Sequence, residues 1–173
     1  MIPAIMDFEA SGLGAGSYPI EVGYVLGDGR SGCFLIRPEA DWQHWCEEAA
    51  QLHGISRELL QRRGRAPREI ALALNERLGG ATLYSDAWGN DYTWMSLLFD
   101  RANLTPRFRL QPLQQLLSEH QQRLWSTTRS EVARELALER HRASSDARLL
   151  QQTYLRTLPP PAAALVTERQ PLR

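Results

Sequence analysis

The stretch Ile2-Pro3-Ala4-Ile5-Met6-Asp7-Phe8-Glu9-Ala10-Ser11-Gly12-Leu13 governs how the rest of the chain is read. Its apolar run over residues 2–6 predicts a buried β-strand with acids at its C-terminal end. Side chains alternate along a strand, so Asp7 and Glu9 project from one face. Two carboxylates held side by side repel each other, and a divalent cation between them removes that cost. Carboxylate oxygens suit Mg²⁺ or Mn²⁺. The glycines that follow let the backbone come close to a ligand. Taken alone, the stretch leaves two readings open. Either a metal sits at a strand end beside a flexible loop, or Asp7 starts a turn and Glu9 is solvated.

The frame around this stretch is that of one ordinary domain. The chain has 173 residues, 43% hydrophobic and 23% charged, enough for one real core. Its 20 basic and 20 acidic residues give a formal net charge of zero. That excludes a coating-type nucleic-acid binder, which would be strongly basic, but not an enzyme that grips a few nucleotides. Cys33 and Cys46 have neither zinc-type nor redox spacing, so a reducing, cytoplasmic setting is expected. No apolar run reaches transmembrane length, which predicts no membrane partner. The N-terminus lacks the marks of a signal peptide.

Outward from the opening stretch, residues 19–27 alternate, with Ile20, Val22, Tyr24 and Leu26 on one face, which predicts a half-buried strand. Asp28-Gly29 is a tight-turn signal. A third strand follows at about residues 32–37, and three strands this close make an antiparallel meander. Residues 41–52, with Trp42 and Trp45, read as helix, stopped at Gly54. Ser56 can cap a short helix to Leu60. Residues 62–65 are a basic loop. Pro67 suits a helix first turn, and Ile70, Leu74 and Leu78 mark that helix's buried face. A short strand at 81–85, a polar turn at 86–90 and a helix opened by Asp91 come next. Residues 107–110 read as the last strand and Leu113, Leu116 and Leu117 as helix. An amphipathic helix is expected over 130–140, and a final one, capped by Ser145, over 146–157. The triple proline starting at Pro159 ends order. The expectation is thus one α/β domain over 1–158 with a flexible tail over 159–173. Its mixed five-stranded sheet, an antiparallel meander plus two parallel strands, is flanked by helices.

Carboxylates and a histidine gather at element boundaries: Asp7 and Glu9 at a strand end, Asp86 and Asp91 around a strand-to-helix turn, His141 in a loop, and Asp146 at a helix start. In this order they resemble the DEDDh-type 3′→5′ exonucleases, the superfamily of polymerase proofreading exonucleases, ribonuclease T and oligoribonuclease. Asp7-Phe8-Glu9-Ala10-Ser11-Gly12-Leu13 matches the first motif, Asp-x-Glu with a Gly-Leu loop. Pro19-Ile20-Glu21-Val22-Gly23 is similar to the family's next strand and Leu52-His53-Gly54-Ile55-Ser56 to its His-Gly-Ile segment. His141-Arg142-Ala143-Ser144-Ser145-Asp146-Ala147 matches the third motif without a gap. In the middle motif, Ser85 stands for the usual His and Asp86 for the usual Asn. Asp91 then fits the family's middle Asp better than Asp86. Ala10 replaces the usual Thr.

The resemblance implies a ribonuclease H-like fold and a hydrolase with a two-metal mechanism. Asp7, Glu9, Asp91 and Asp146 are the implied ligands of two Mg²⁺ or Mn²⁺ ions about 3.5–4 Å apart. His141 is the implied base for the attacking water, since histidine exchanges protons near neutral pH. The products would be nucleoside 5′-monophosphates cut from the 3′ end of single-stranded RNA or DNA, the sugar staying open. Ala10, Ser11 and Leu13 would face the terminal nucleotide, with His53 nearby. Trp88, in the turn before Asp91, is placed to stack on a base. The competing reading is a non-catalytic nucleic-acid-binding or protein-docking module on the same fold. Several members of the family pair, so a homodimer is a further expectation.

Overall fold

The strand that carries the first acids, β1 (Ala4–Ala10), holds both of them in its C-terminal half, as expected. It is the middle strand of a five-stranded mixed sheet, which the computed structural model describes together with its flanking helices over residues 1–137 and 141–159. The other strands are β2 (Pro19–Val25), β3 (Ser31–Leu35), β4 (Thr82–Ser85) and β5 (Arg109–Pro112), in the order β3-β2-β1-β4-β5. β1 pairs antiparallel with β2, and β2 with β3. β1 with β4, and β4 with β5, are parallel. The expected meander plus two parallel strands is therefore present. Of the tail expected over 159–173, all but Pro159 lies outside the described residues.

Among the described residues six helices flank the sheet: α1 (Glu47–His53), α2 (Arg57–Arg63), α3 (Pro67–Leu78), α4 (Trp88–Ala102), α5 (Glu119–Leu136) and α6 (Ala143–Arg156). Several expectations are met locally. Gly54 ends α1 in a left-handed conformation, and the Ser56 hydroxyl accepts the Leu59 N–H. Pro67 opens α3, whose Ile70, Leu74 and Leu78 are buried. Others are corrected. Residues 41–46 are not helical; Trp42 stacks on Tyr18 at 5.0 Å, and the Cys46 N–H donates to the Ser11 carbonyl at 2.8 Å, so this segment straps the loop after β1. α5 starts at Glu119, well before residue 130, because Ser118 and Gln121 form a reciprocal capping box, worth about 0.5–2 kcal/mol. Leu113–Leu116 is a single 3₁₀ turn. α6 starts at Ala143, and its cap is not Ser145 but a carboxylate from β2, described below.

The sheet's two faces are covered differently. Met6, Phe8, Ile20, Val22 and Tyr24 enter a large apolar core with α3 and α4. Ile5 and Val25 join a small one with Leu113, Ala147 and Leu150. β2 is buried along its whole length, not on one face as its alternation predicts, because α6 lies over its other face. Gly23 makes that contact close: a Cβ there would fall 2.2 Å from the Ser144 nitrogen. Gly23 is the register partner of Asp7, so the tight approach brings the first turn of α6 onto the acid-bearing part of β1. No described helix is long and apolar enough to cross a membrane.

Candidate active site

The pleat of β1 puts Asp7 and Glu9 on the α6 face, while Phe8 between them is buried in the large core. α6 supplies Asp146 from its first turn, and the segment before it supplies His141. His141 has φ 57°, a left-handed conformation uncommon outside glycine, Asn and Asp. It lies beside Glu9 and Asp146. Ligand atoms of Glu9, His141 and Asp146 lie within 4.8 Å of one another. Asp91 enters from the first turns of α4 and is 1% exposed. It is deeper than the others. The Ser85 hydroxyl donates to one of its oxygens. Ser85, which replaces the usual histidine of the middle motif, thus anchors Asp91 from β4.

Electrostatics binds these acids into one site. Asp7 is held well above the usual carboxylate range, first by burial and then by the charges of Asp91, Glu9 and Asp146. Glu9 is pushed up to about 8 by burial, then by Asp146, Glu21 and Asp91, with Arg142 pulling the other way. Burial raises Asp91 to about 7, against the pull of its Ser85 hydrogen bond. Burial also raises Asp146, while His141 and Arg129 lower it. Crowded acids that resist ionising together are what a hard divalent cation relieves. The donor set, carboxylate oxygens with one imidazole at the rim, fits Mg²⁺ or Mn²⁺. Asp86, the other candidate for the middle position, stands at the edge, 3.6 Å from the Arg129 guanidinium. It contributes to the Asp7 shift after Asp91, Glu9 and Asp146.

The residues expected to face substrate divide into two groups. Leu13 is 73% exposed on the loop after β1. Trp88 lies half out of the first turn of α4, its indole N–H donating to the Leu110 carbonyl at 2.9 Å and its ring tilted against Tyr92 at 5.3 Å. Both are open to a ligand. Ala10 and Ser11 are buried. The Ser11 hydroxyl accepts the Tyr18 N–H at 3.1 Å and meets His44 Nδ1 at 3.1 Å, so it shapes the loop rather than reaching out of it. His53 is buried at the end of α1. Its Nδ1 accepts the Ile55 N–H at 3.0 Å, and Nε2 has no partner among the described residues. Burial lowers its pKa, and it feels the charges of Glu21, His141 and Arg142, which places it beside the site.

Two contributors are not among the expected site residues. His44 packs so close to Gly12, φ 146°, that a Cβ on residue 12 would fall 2.7 Å from the His44 ring and 2.6 Å from Cys46 Cβ. Nothing local in the sequence signals that strap. The other is Glu21, fully buried on β2 directly opposite Glu9. A charged residue inside an otherwise apolar strand is the signal that could have marked it.

Solved structures share this arrangement of strands and helices. The fold is similar to that of E. coli exonuclease I. The complex of that enzyme with a dA16 oligonucleotide has a TM-score of 0.64 and 13% identity, over 86% of this chain and 39% of that one. A product-bound structure of exonuclease I gives 0.65 and 12%, over 87% and 41%. The apo form gives 0.64 and 12%, over 89% and 41%. The likeness at this identity is one of fold. This chain spans about two fifths of exonuclease I, 39–41% of its length. No family model matches the chain, and no curated protein matches it by sequence.

Proposed function

We propose that this chain is a metal-dependent 3′→5′ exonuclease of the DEDDh type, releasing nucleoside 5′-monophosphates from single-stranded nucleic acid. The observation that carries the reading is the convergence of Asp7, Glu9, Asp91, Asp146 and His141 from β1, α4 and α6 onto one mutually repelling acidic site. The likeness to a fold solved with a dA16 oligonucleotide supports the substrate class.

Asp7, Glu9, Asp91 and Asp146 would hold the metal, Mg²⁺ or Mn²⁺. When bound, the metal supplies a low-pKa water and charge neutralisation at the leaving 3′-oxygen. The protein's own groups do the rest. His141 stands at the mouth, beside Glu9 and Asp146, and takes the proton of the attacking water. Asp91, anchored by Ser85, fixes the inner wall of the site. Leu13 packs on the terminal base, and His53 backs the site from a buried position, its charge coupled to Glu21, His141 and Arg142. Trp88 stacks on an unpaired base, which double-stranded ends do not present.

Digestion of matched RNA and DNA oligonucleotides, single- and double-stranded, each with Mg²⁺ and with Mn²⁺, tests this directly. Mononucleotides are expected from single strands only, and the faster substrate assigns the sugar. If no oligonucleotide is shortened and calorimetry finds no metal binding, the chain is a non-catalytic module and the proposal falls.

A further inference from the structure

Glu21 is a buried carboxylate that the proposed chemistry does not use. It is 0% exposed, on a strand buried along its whole length. Both of its oxygens are engaged. Arg142 donates from Nε at 3.1 and 3.2 Å and from Nη2 at 2.6 Å, the planar fork expected of a strong guanidinium–carboxylate pair. The Ala143 N–H donates to Oε2 at 2.8 Å. That last bond changes the status of Glu21. Ala143 is the first residue of α6, and α6 has no side-chain cap of its own. Its orphan N–H is met instead by an acid more than a hundred residues away in sequence, which also favours the positive end of the helix dipole. Cys33 and Ser144 border the same spot, and Gly23 holds α6 at backbone contact one pleat further along β2.

The neighbours of the pair are the reactive ones. Glu21 faces Glu9 across β1 and β2. Arg142 follows His141 and precedes the helix turn that bears Asp146. One ion pair therefore spans the strand that presents the first two acids and the segment that presents the base and the last acid.

We propose that the Glu21–Arg142 pair is a latch that sets His141 and Asp146 over Asp7 and Glu9, both members of the pair acting as positioning residues. The kinetic part of this proposal rests on the exonuclease reading. Neither residue is assigned a substrate contact, so loss of the latch is expected to lower turnover and to leave oligonucleotide affinity unchanged. The guanidinium fork carries it, so a bare positive charge at residue 142 restores it only in part.

The test is a cycle of Glu21→Gln, Arg142→Gln and the double variant, with Arg142→Lys as the conservative step, each checked for folding by circular dichroism. Each single Gln variant is expected to lose roughly 10–100-fold in kcat with KM unchanged, as groups that orient metal-site residues do. The double variant is expected to lose no more than the worse single one, and Arg142→Lys to fall between. In NMR, the ring signal of His141, one of four histidines, is expected to move or broaden in the Gln variants while those of His44 and His120 stay. Folded variants with wild-type kcat, losses that multiply in the double variant, or an unmoved His141 signal overturn the latch. Should Glu21→Gln not fold, the Arg142→Gln and Arg142→Lys pair decides. Should the wild-type protein release no nucleotide at all, it is the exonuclease reading that fails, and the His141 signal still judges the latch.

Discussion

The two faces of the sheet are made by neighbouring residues and live under opposite rules. Met6, Phe8 and Ala10 of β1 enter a broad apolar core, together with Ile20, Val22 and Tyr24 of β2. One residue along, Asp7, Glu9, Glu21 and Gly23 face α6, where the apolar packing shrinks to Ile5, Val25, Leu113, Ala147 and Leu150. The first face supplies stability by removing apolar surface from water. The second tolerates crowded, partly desolvated carboxylates because the first holds the strands fixed. The proposed site is thus built on a face that costs folding energy, and a period of two residues keeps the two roles apart.

That contrast is sharpest in paired substitutions on β1. Asp7→Asn should abolish nucleotide release, a loss of roughly 10³-fold or more if the metal site carries the reaction. In metal-free buffer it should leave the protein as stable as wild type or more so, since it removes a repelled buried acid; thermal melts in EDTA beside oligonucleotide assays read both effects. Phe8→Ala should do the reverse, costing about 3–5 kcal/mol in denaturant unfolding. A strong loss of stability in Asp7→Asn would break the division between the faces.

A smaller effect is the pH dependence of that division. Glu9 is raised to about 8 and Asp91 to about 7 in the folded, metal-free protein, against about 4 in the unfolded chain. The folded state then binds more protons than the unfolded one between those limits, so stability is full below about pH 4 from these groups and falls as pH rises towards 8. Melting temperature in EDTA should decline from pH 5 to about pH 8.5. Mg²⁺ or Mn²⁺ should flatten that decline. A melting temperature that instead rises over this range in EDTA would mean that the acids are not crowded as described. The smallest expected change is Trp88→Ala: about 5–10-fold in KM for a single-stranded oligonucleotide, with kcat little altered, as loss of one stacking contact predicts.

How much of this was legible in the sequence follows the same split. The apolar periodicities of β1 and α3, the turn at Asp28, the stop at Gly54 and the cap at Ser56 are local, and local physics fixed them. The acids and His141 stood out because charged residues at element ends are conspicuous. The apolar face of β2 was readable from Ile20, Val22 and Tyr24, but its second buried face was not, because it consists of a proline, a glutamate, a glycine and one valine. α5 was read too short, since its first half is mainly polar and carries few apolar marks; only its Ser118–Gln121 capping box shows where it begins. Residues 41–46 have the tryptophans of a helix face but are drawn into tertiary bonds with the loop at Ser11 and Gly12. The cap of α6 is a long-range bond to Glu21, which no local window contains.

Gly23 gives this arrangement a consequence for any survey of variants. A methyl group there would meet backbone atoms of Ala143 and Ser144 at 2.3 and 2.2 Å, and backbone cannot swing aside as a flexible side chain can. The residue bears no functional group and touches no reactant, yet even alanine would lift the first turn of α6 off the sheet. A saturation screen scored by activity alone would rank it with Asp7 and Asp146 and mistake clearance for catalysis.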